Sequence, residues 1–504
     1  MYAMPIIKKK EVISLFTNYL SRRLHVLFFF LERNETTIAE IASSLKCSKR
    51  VIKDDLIYLN EMFELQLGLS DFILSHYSGI IEINPKYKTD RLHYVYTLKL
   101  ILLKQSSLFN YMTLMTTYGK ITREELLNKL FVTDTYLDKM TKQLNEYLSQ
   151  YHIQIKATKG FYSLIGQEAF IRLYSYIFLV DSYQFIEWPF ESVSLNNIIK
   201  QIPSDLYAIF DTLSNSKKRQ LTILYAILII RTQHGNFVTE KTDADIVYIM
   251  QLLTNNFDVS SYLKINSSLE LHPEIKKNEI LTFNFFTRIF ISDTLSKEQK
   301  VAMGATFYHE THPDCLQAQR IVQAVNQLVN HSLDETQLYM YTYFTTLYFA
   351  WNKFTGPVFL PFVYLFIPVP QFYVHVANDF MQELEQTIRE TVTDKAQVRF
   401  LCSLFYSLLC ADKQPILKVY LQLTKNYTAI YFVKNRLATI FNTDHIQITI
   451  DYTEADFVIT DSLEYANNGK AIFYLDDLNN TKRWQALISA IQVEYLKLLE
   501  IPYD

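Results

Sequence analysis

Glycine is scarce in this 504-residue sequence, at 9 residues, and proline is little commoner at 12. So few glycines exclude a glycine-rich phosphate loop and argue against long flexible linkers, leaving a helix-rich chain. Four cysteines, Cys47, Cys315, Cys402 and Cys410, stand far apart with no C-x-x-C pair. That pattern points to a reducing compartment and to no zinc site, and the sequence offers no other metal or cofactor motif. In His309-Glu310-Thr311-His312 only two residues separate the histidines, so this is not the H-E-x-x-H of a zinc protease. Long membrane-type runs are also missing. The stretch from Pro357 to Val374 is broken by Pro357, Pro361, Pro368 and Pro370, and Leu221–Ile230 is short and flanked by Arg219 and Arg231. Both read as core rather than as membrane spans. Lys8-Lys9-Lys10 leads into no apolar run ending at a small-residue cleavage site, so no signal peptide is read and a cytoplasmic location is expected.

Aromatic residues are abundant, with 36 Tyr and 35 Phe, enough for several large cores. The length suggests three to five domains. Net charge is −3, but unevenly spread. Residues 1–166 hold 22 Lys/Arg against 16 Asp/Glu, and the remainder holds 27 against 36. A basic N-terminal third on an acidic body fits a nucleic-acid-binding module joined to domains with another task.

That basic third contains a repeat. Thr37-Ile38-Ala39-Glu40 and Thr122-Arg123-Glu124-Glu125 are Ser/Thr-x-x-Glu capping boxes 85 residues apart. The same offset carries Leu45 to Leu130, a second cap Ser48 to Thr133, and Ile52, Leu59 and Phe63 to Leu137, Leu144 and Leu148. Short helix, three-residue turn and second helix spell helix-turn-helix twice. Ahead of the first, residues of about 10–20 and Leu24–Leu31 read as helix. Residues 72–84 read as a two-stranded wing turning at Ser78-Gly79, and 90–118 as connecting helices. The second wing is His152–Lys156 and Phe161–Ile165 about Lys159-Gly160.

From about 167 to 395 the pattern is helical, enough for two bundles, with runs at Lys217–Gln233, Glu279–Ile291 and Leu338–Phe354. The last hundred residues alternate short strands with helices. The strands read as Thr428–Val433, Ile446–Ile450, Asp456–Thr460 and Ala471–Tyr474, with a final helix at Trp484–Leu499, a small α/β domain with a mainly parallel sheet.

In the helix after Ser48, the apolar face Ile52, Leu56, Leu59 and Phe63 turns Lys49, Arg50 and Lys53 outward. A recognition helix needs that combination of an apolar anchor and basic residues near its N-terminus. Asp54 and Asp55 would repel phosphate unless they point away, or one accepts from a cytosine amine or an arginine. In the second unit Leu137, Met140 and Leu144 face inward and Thr135, Tyr136, Lys139 and Lys142 outward, with Lys156 and Lys159 on the wing. Most such contacts position a protein on phosphates rather than read bases. The first copy presents a denser basic helix and the second leans on its wing.

Two stretches resemble a known family. Ile41-Ala42-Ser43-Ser44-Leu45-Lys46-Cys47-Ser48-Lys49-Arg50-Val51-Ile52-Lys53-Asp54-Asp55-Leu56 is similar to the first winged helix of the Mga/AtxA-like transcriptional regulators of Gram-positive bacteria. Gly160-Phe161-Tyr162-Ser163-Leu164-Ile165-Gly166-Gln167-Glu168 resembles the G-x-Y-x-L-x-G-x-E transition of regulators with phosphotransferase-regulation domains. The resemblance implies a mainly α multidomain chain. Its parts would be winged helix-turn-helix domains over 1–88 and 89–168, helical regulation bundles over 169–283 and 284–398, and an α/β domain similar to phosphotransferase enzyme IIB over 399–504. It implies an activator, a virulence or carbohydrate-linked regulator, that binds double-stranded promoter DNA and works as a homodimer or higher oligomer. Histidines of the bundles would take phosphate from HPr and enzyme I. The candidates are His234 and His272 in the first bundle, His331 and His375 in the second. Enzyme IIB domains place a cysteine in the loop after the first strand. Here Ile430-Tyr431-Phe432-Val433 is followed by Lys434-Asn435-Arg436-Leu437, without Cys or Gly. Without a thiolate or an anion-binding loop, the domain reads as an interaction surface and the chain as no enzyme.

Two other function classes remain open: an RNA-binding antiterminator with the same regulation domains, and a phosphocarrier or adaptor of the phosphotransferase system. An antiterminator would start with a small β-rich domain, whereas this chain starts with capped helix pairs.

Overall fold

The computed structural model describes residues 18–32, 35–77, 79–201, 210–239, 243–253, 272–291, 294–329, 332–364, 378–412, 415–423, 428–462, 470–475 and 477–500. They are mostly helical and divide into two compact units, one of 3–306 with 346–365, the other of 307–345 with 366–504.

The first unit opens with helix α1 (Asn18–Glu32), strand β1 (Glu35–Thr37), helices α2 (Ile38–Ser44) and α3 (Lys49–Leu67), and the hairpin β2 (Ile73–Ser75) and β3 (Ile80–Ile83). Strand β3 lies between β1 and β2, antiparallel to both. The helical stretches expected on either side of residue 20 are, over the described part, one continuous helix. The anticipated caps are present: the Thr37 hydroxyl accepts from Glu40 N at 3.1 Å and the Ser48 hydroxyl from Val51 N at 3.4 Å. Helix α3 stops at Gly68, whose φ of +67° lets its N–H reach Glu64 O while Leu69 N reaches Phe63 O. Ile52, Leu56, Leu59 and Phe63 are buried, and Phe63 stacks on Phe72 at 3.9 Å between centroids.

Helix α4 (Arg91–Lys104) leads to the second copy: α5 (Ser107–Tyr118), β4 (Ile121–Thr122), α6 (Arg123–Leu130), α7 (Asp134–Leu148), β5 (Ile153–Thr158) and β6 (Phe161–Gly166). Strand β6 lies between β4 and β5, as β3 does between its neighbours. Helices α3 and α7 begin 85 residues apart, so the repeat read from caps is a repeat of whole winged helices. Here the capping box is complete, with Thr122 and Glu125 bonded both ways. The Thr122 backbone N–H and hydroxyl both donate to the Glu125 carboxylate and hold it below the usual range.

The helical part of this unit contains α8 (Glu168–Tyr183), α9 (Leu195–Gln201), α10 (Asn215–Gln233), α11 (Ala244–Leu252) and α12 (Pro273–Phe290). Every residue of α10 from Leu221 to Thr232 is buried, so this apolar run is core, as its length and flanking arginines indicated. Four buried charges cross the interior in alternation. Arg231 donates to Glu168 at 2.9 and 2.6 Å; Arg172 donates to Glu168 at 2.8 Å and to Glu279 at 2.5 and 2.9 Å.

Helices α13 (Lys297–His309) and α15 (Glu335–Tyr364) each run across the division between the units, and α15 is broken by non-helical angles at Gly356. The second unit includes α14 (Pro313–Leu328), α16 (Asn378–Arg389) and α17 (Lys395–Asp412), then a four-stranded parallel sheet. Its strands are β7 (Leu417–Gln422), β8 (Ile446–Thr449), β9 (Phe457–Thr460) and β10 (Ala471–Tyr474), in the order β10-β9-β7-β8. Helices α18 (Ala429–Ile440) and α19 (Thr481–Glu500) complete it.

Two expectations for this domain are corrected. Thr428–Val433 is not a strand: Ala429, Val433 and Leu437 fall every four residues along α18 and are buried, while Ile430, Tyr431 and Phe432 are exposed. The first strand is Leu417–Gln422, whose alternating burial marks an ordinary strand period. Lys434–Leu437 is therefore helix, and the segment between the first strand and α18 is 423–428. Its sequence, Leu-Thr-Lys-Asn-Tyr-Thr, also lacks Cys and Gly; residues 424–427 lie outside the described part.

Candidate nucleic-acid interface

All ten residues selected as DNA contacts are exposed: Ser48, Lys49, Arg50 and Lys53 on the first unit, Thr135, Tyr136, Lys139, Lys142, Lys156 and Lys159 on the second. Ser48 is also the cap of α3, so its hydroxyl is already engaged by Val51 N. The two acidic residues of α3 divide as their environment requires. Asp54 is exposed, whereas Asp55 is buried and accepts from Arg22 at 2.5 and 3.2 Å and from Arg23 at 3.2 Å. Arg23 in turn lies 3.4 Å above the Tyr58 ring. Of the alternatives left open for these aspartates, Asp55 takes the arginine, twice over, and the two arginines tie α3 to α1.

Both recognition helices are fastened to their wings by an asparagine. The Asn60 side chain donates to Ile73 O and accepts from Ile73 N, each at 2.8 Å. Asn145, 85 residues on, does the same with Ile155 at 3.0 and 2.6 Å. Sequence reasoning missed this pair, although the offset already aligned the two residues.

The wings differ in charge. At the first, Glu82 accepts from Lys88 and lies against His76, each at 3.1 Å, so Lys88 is paired, and Tyr77 projects fully exposed from the turn. The salt-bridge partners hold the Glu82 carboxylate below its usual range. At the second, Lys156 and Lys159 are exposed and form no ion pair among the described residues. Each letter of the wing-exit motif has a physical role. Gly160 takes the turn at φ +82°, and Tyr162 meets Arg123. Leu164 is buried, and its carbonyl accepts from Arg231 at 3.5 Å. Gly166 has φ +149°, and a Cβ on it would lie 2.6 Å from His152 O. Glu168 sits inside the buried charge chain, between Arg231 and Arg172.

The four histidines are placed unequally. His234 ends α10 half-buried, its Nδ1 2.8 Å from Ile230 O. A carbonyl only accepts, so Nδ1 carries the proton and Nε2 is the basic nitrogen of the neutral ring. His234 lies against Gly119 at the end of α5, where a Cβ would fall 2.9 Å from Nδ1. His272 is exposed and caps α12, accepting from Glu274 N at 3.4 Å; His312 caps α14 in the same way from Asp314 N at 3.3 Å. His-Pro-acidic is thus a helix start used twice. His331 and His375 lie outside the described residues. Among those residues there is no cluster of His, Cys, Asp or Glu able to hold a metal, and no helix long and apolar enough to cross a membrane.

Residues 95–179 match the family model of the Mga helix-turn-helix domain. The interval covers α5–α7 and both wing strands, with most of α4 and α8. A protein of Streptococcus pneumoniae serotype 4 named "Putative trans-acting regulator" is 23% identical over 208 residues, which is 41% of this chain. The matched stretch spans 40% of that relative's own length. Family match and relative together make this chain similar to Mga-like regulators over part of its length.

Proposed function

We propose that the chain is a DNA-binding transcriptional regulator that meets promoter DNA through both winged helices. The observation that carries this reading is the doubled winged helix with its basic and polar candidates all on the exposed side. The test is a mobility-shift titration with promoter fragments over a range of salt. Affinity is expected to fall steeply with salt through counterion release. It should weaken in Lys49→Ala/Arg50→Ala and in Lys139→Ala/Lys142→Ala. Unchanged affinity in both double variants rejects the assignment of the recognition helices.

The finer reading adds an activator role, self-association through the C-terminal α/β domain, and control by phosphate on regulation-domain histidines. Residues 169–283 and 284–398 would be the regulation bundles and 399–504 the enzyme IIB-like domain. His234 is the favoured acceptor, through Nε2. A phosphate there adds about −1.5 to −2 charge beside the end of α5, enough to bias how the second winged helix is held. Phosphotransfer from HPr and enzyme I to the wild type and to His234→Ala tests this. An unlabelled wild type rejects the phosphorylation reading, and full labelling of the variant rejects the site.

A further inference from the structure

The offset between the two winged helices exposes an inversion of charge. It carries Lys49 onto Asp134, Lys53 onto Asp138 and Ile38 onto Arg123. Where the first recognition helix presents two lysines, the second presents two exposed carboxylates, and an arginine has replaced an isoleucine opposite them. Asp134, Asp138, Thr141 and Asn145 follow a spacing of four, three and four along one side of α7. Thr141 bonds Tyr111 at 2.9 Å and Asn145 bonds β5, so the later part of this side meets the rest of the domain, while Asp134 and Asp138 at its start stay exposed.

Arg123 spends every donor it has on this arrangement. Nε donates to Asp134 Oδ1 at 2.7 Å. Nη1 donates to Asp138 Oδ1 at 3.0 Å and to the Tyr162 hydroxyl. Nη2 donates to Asp138 Oδ2 at 3.2 Å and to Asp134 O at 3.4 Å. A guanidinium has five N–H groups, and all five are used. Arg123 N also reaches Gly160 O in the wing turn at 3.3 Å. The first turn of α6, the first turns of α7 and the wing therefore converge on one side chain. Those are the parts through which a helix-turn-helix approaches a duplex.

We propose that Arg123 is the positioning residue of the second winged helix, masking Asp134 and Asp138 from phosphate and holding α6, α7 and the wing in one register. The inference rests on the DNA-binding reading and deepens it. Arg123 acts through its neighbours: with all donors committed, it has none left for a phosphate. The ion pairs are exposed enough that their effect on stability is small, whereas two bare carboxylates facing a duplex weigh directly on binding.

The test uses the full chain and a fluorescein-labelled duplex drawn from the DNA upstream of its own coding sequence, titrated at several salt concentrations. Arg123→Ala is expected to lose affinity about tenfold with an unchanged salt slope, because no phosphate contact has gone. The triple variant Arg123→Ala/Asp134→Asn/Asp138→Asn is expected to recover most of that loss. Unchanged affinity in Arg123→Ala overturns the inference. So does a triple variant as weak as the single one, or a slope lowered by about one, the mark of a lost phosphate contact. Asp134→Asn/Asp138→Asn with Arg123 intact keeps the test open should Arg123→Ala misfold. It is expected to bind at least as tightly as wild type, and weaker binding overturns the inference. A wild type that shows no salt-sensitive binding rejects the DNA reading itself, before any variant is compared.

Discussion

An asparagine side chain offers a strand what a neighbouring strand would: one donor and one acceptor spaced for a backbone N–H and C=O. Asn60 and Asn145 use that property to hold β2 and β5 against the recognition helices, so each wing takes its angle from the helix it accompanies. Asn145→Ala frees both backbone groups of Ile155 and is expected to cost about 1–3 kcal/mol, measured by urea unfolding, with faster hydrogen exchange at the Ile155 amide. An unaltered exchange rate there would dismiss the clamp. Gly166 sets a second residue-scale constraint, because its positive φ and the 2.6 Å approach of His152 O leave no room for a methyl group. Gly166→Ala should destabilise by about 2 kcal/mol or more, whereas Gly160→Ala, strained at φ +82° with no neighbouring atom in the way, should cost less. Equal losses at the two positions in thermal melts would show that backbone angle alone matters. Of the residue-scale features, caps and core positions were legible because they recur at a fixed offset. Arg123 was not, since its meaning lies in three simultaneous changes against the first copy, Ile38 to Arg, Lys49 to Asp and Lys53 to Asp.

Helix α8 shows how an element can belong to two neighbours. Its first residue, Glu168, closes the wing motif and is also the middle of a buried charge chain from Arg231 to Glu279. Burial alone would push the Glu168 carboxyl up, but Arg172 and Arg231 outweigh it and hold it below the usual range. A carboxylate lowered in the folded state adds stability above its unfolded pKa, and that stability is lost as pH falls through the folded value. Stability should therefore drop as the pH is lowered below about 4.3, the unfolded glutamate value. Glu168→Gln should remove that dependence and cost about 3–5 kcal/mol at neutral pH, because two arginines stay buried with one partner fewer. Parallel pH–stability curves for variant and wild type would refute it. At this scale the sequence misleads where propensity and spacing disagree. Residues 428–433 are rich in strand formers yet fold as helix, because burying Ala429, Val433 and Leu437 together requires a turn of 3.6 residues. Leu417–Gln422 carried the plain alternation of a strand and was passed over.

On the whole molecule, the basic third and the acidic remainder now coincide with architecture. The 22 Lys/Arg of residues 1–166 belong to the stretch that ends with β6, the last strand of the second winged helix. Among the contacts that fasten the helical part to that winged helix, two bear on its wing and on α5. One is Arg231 against Leu164 O and Glu168, the other His234 against Gly119. Gly119→Ala would set a methyl 2.9 Å from His234 Nδ1 and 3.1 Å from Ile230 Cγ2, on a backbone with φ +71°. It is expected to lower the melting temperature of the full chain and to raise the reactivity of His234 towards diethyl pyrocarbonate. An unmoved His234 reactivity would deny the contact.

The family match extends past the wing to residue 179, well into α8, the helix that opens with the buried Glu168. A protein chemist who trims the second winged helix at residue 166 cuts away the anchor of its own wing. The soluble fragment worth making retains α8 in full, to Tyr183, together with α10, so that Arg231 has its carboxylate. The border between the second winged helix and the body is a shared helix, and it has no natural scissile point.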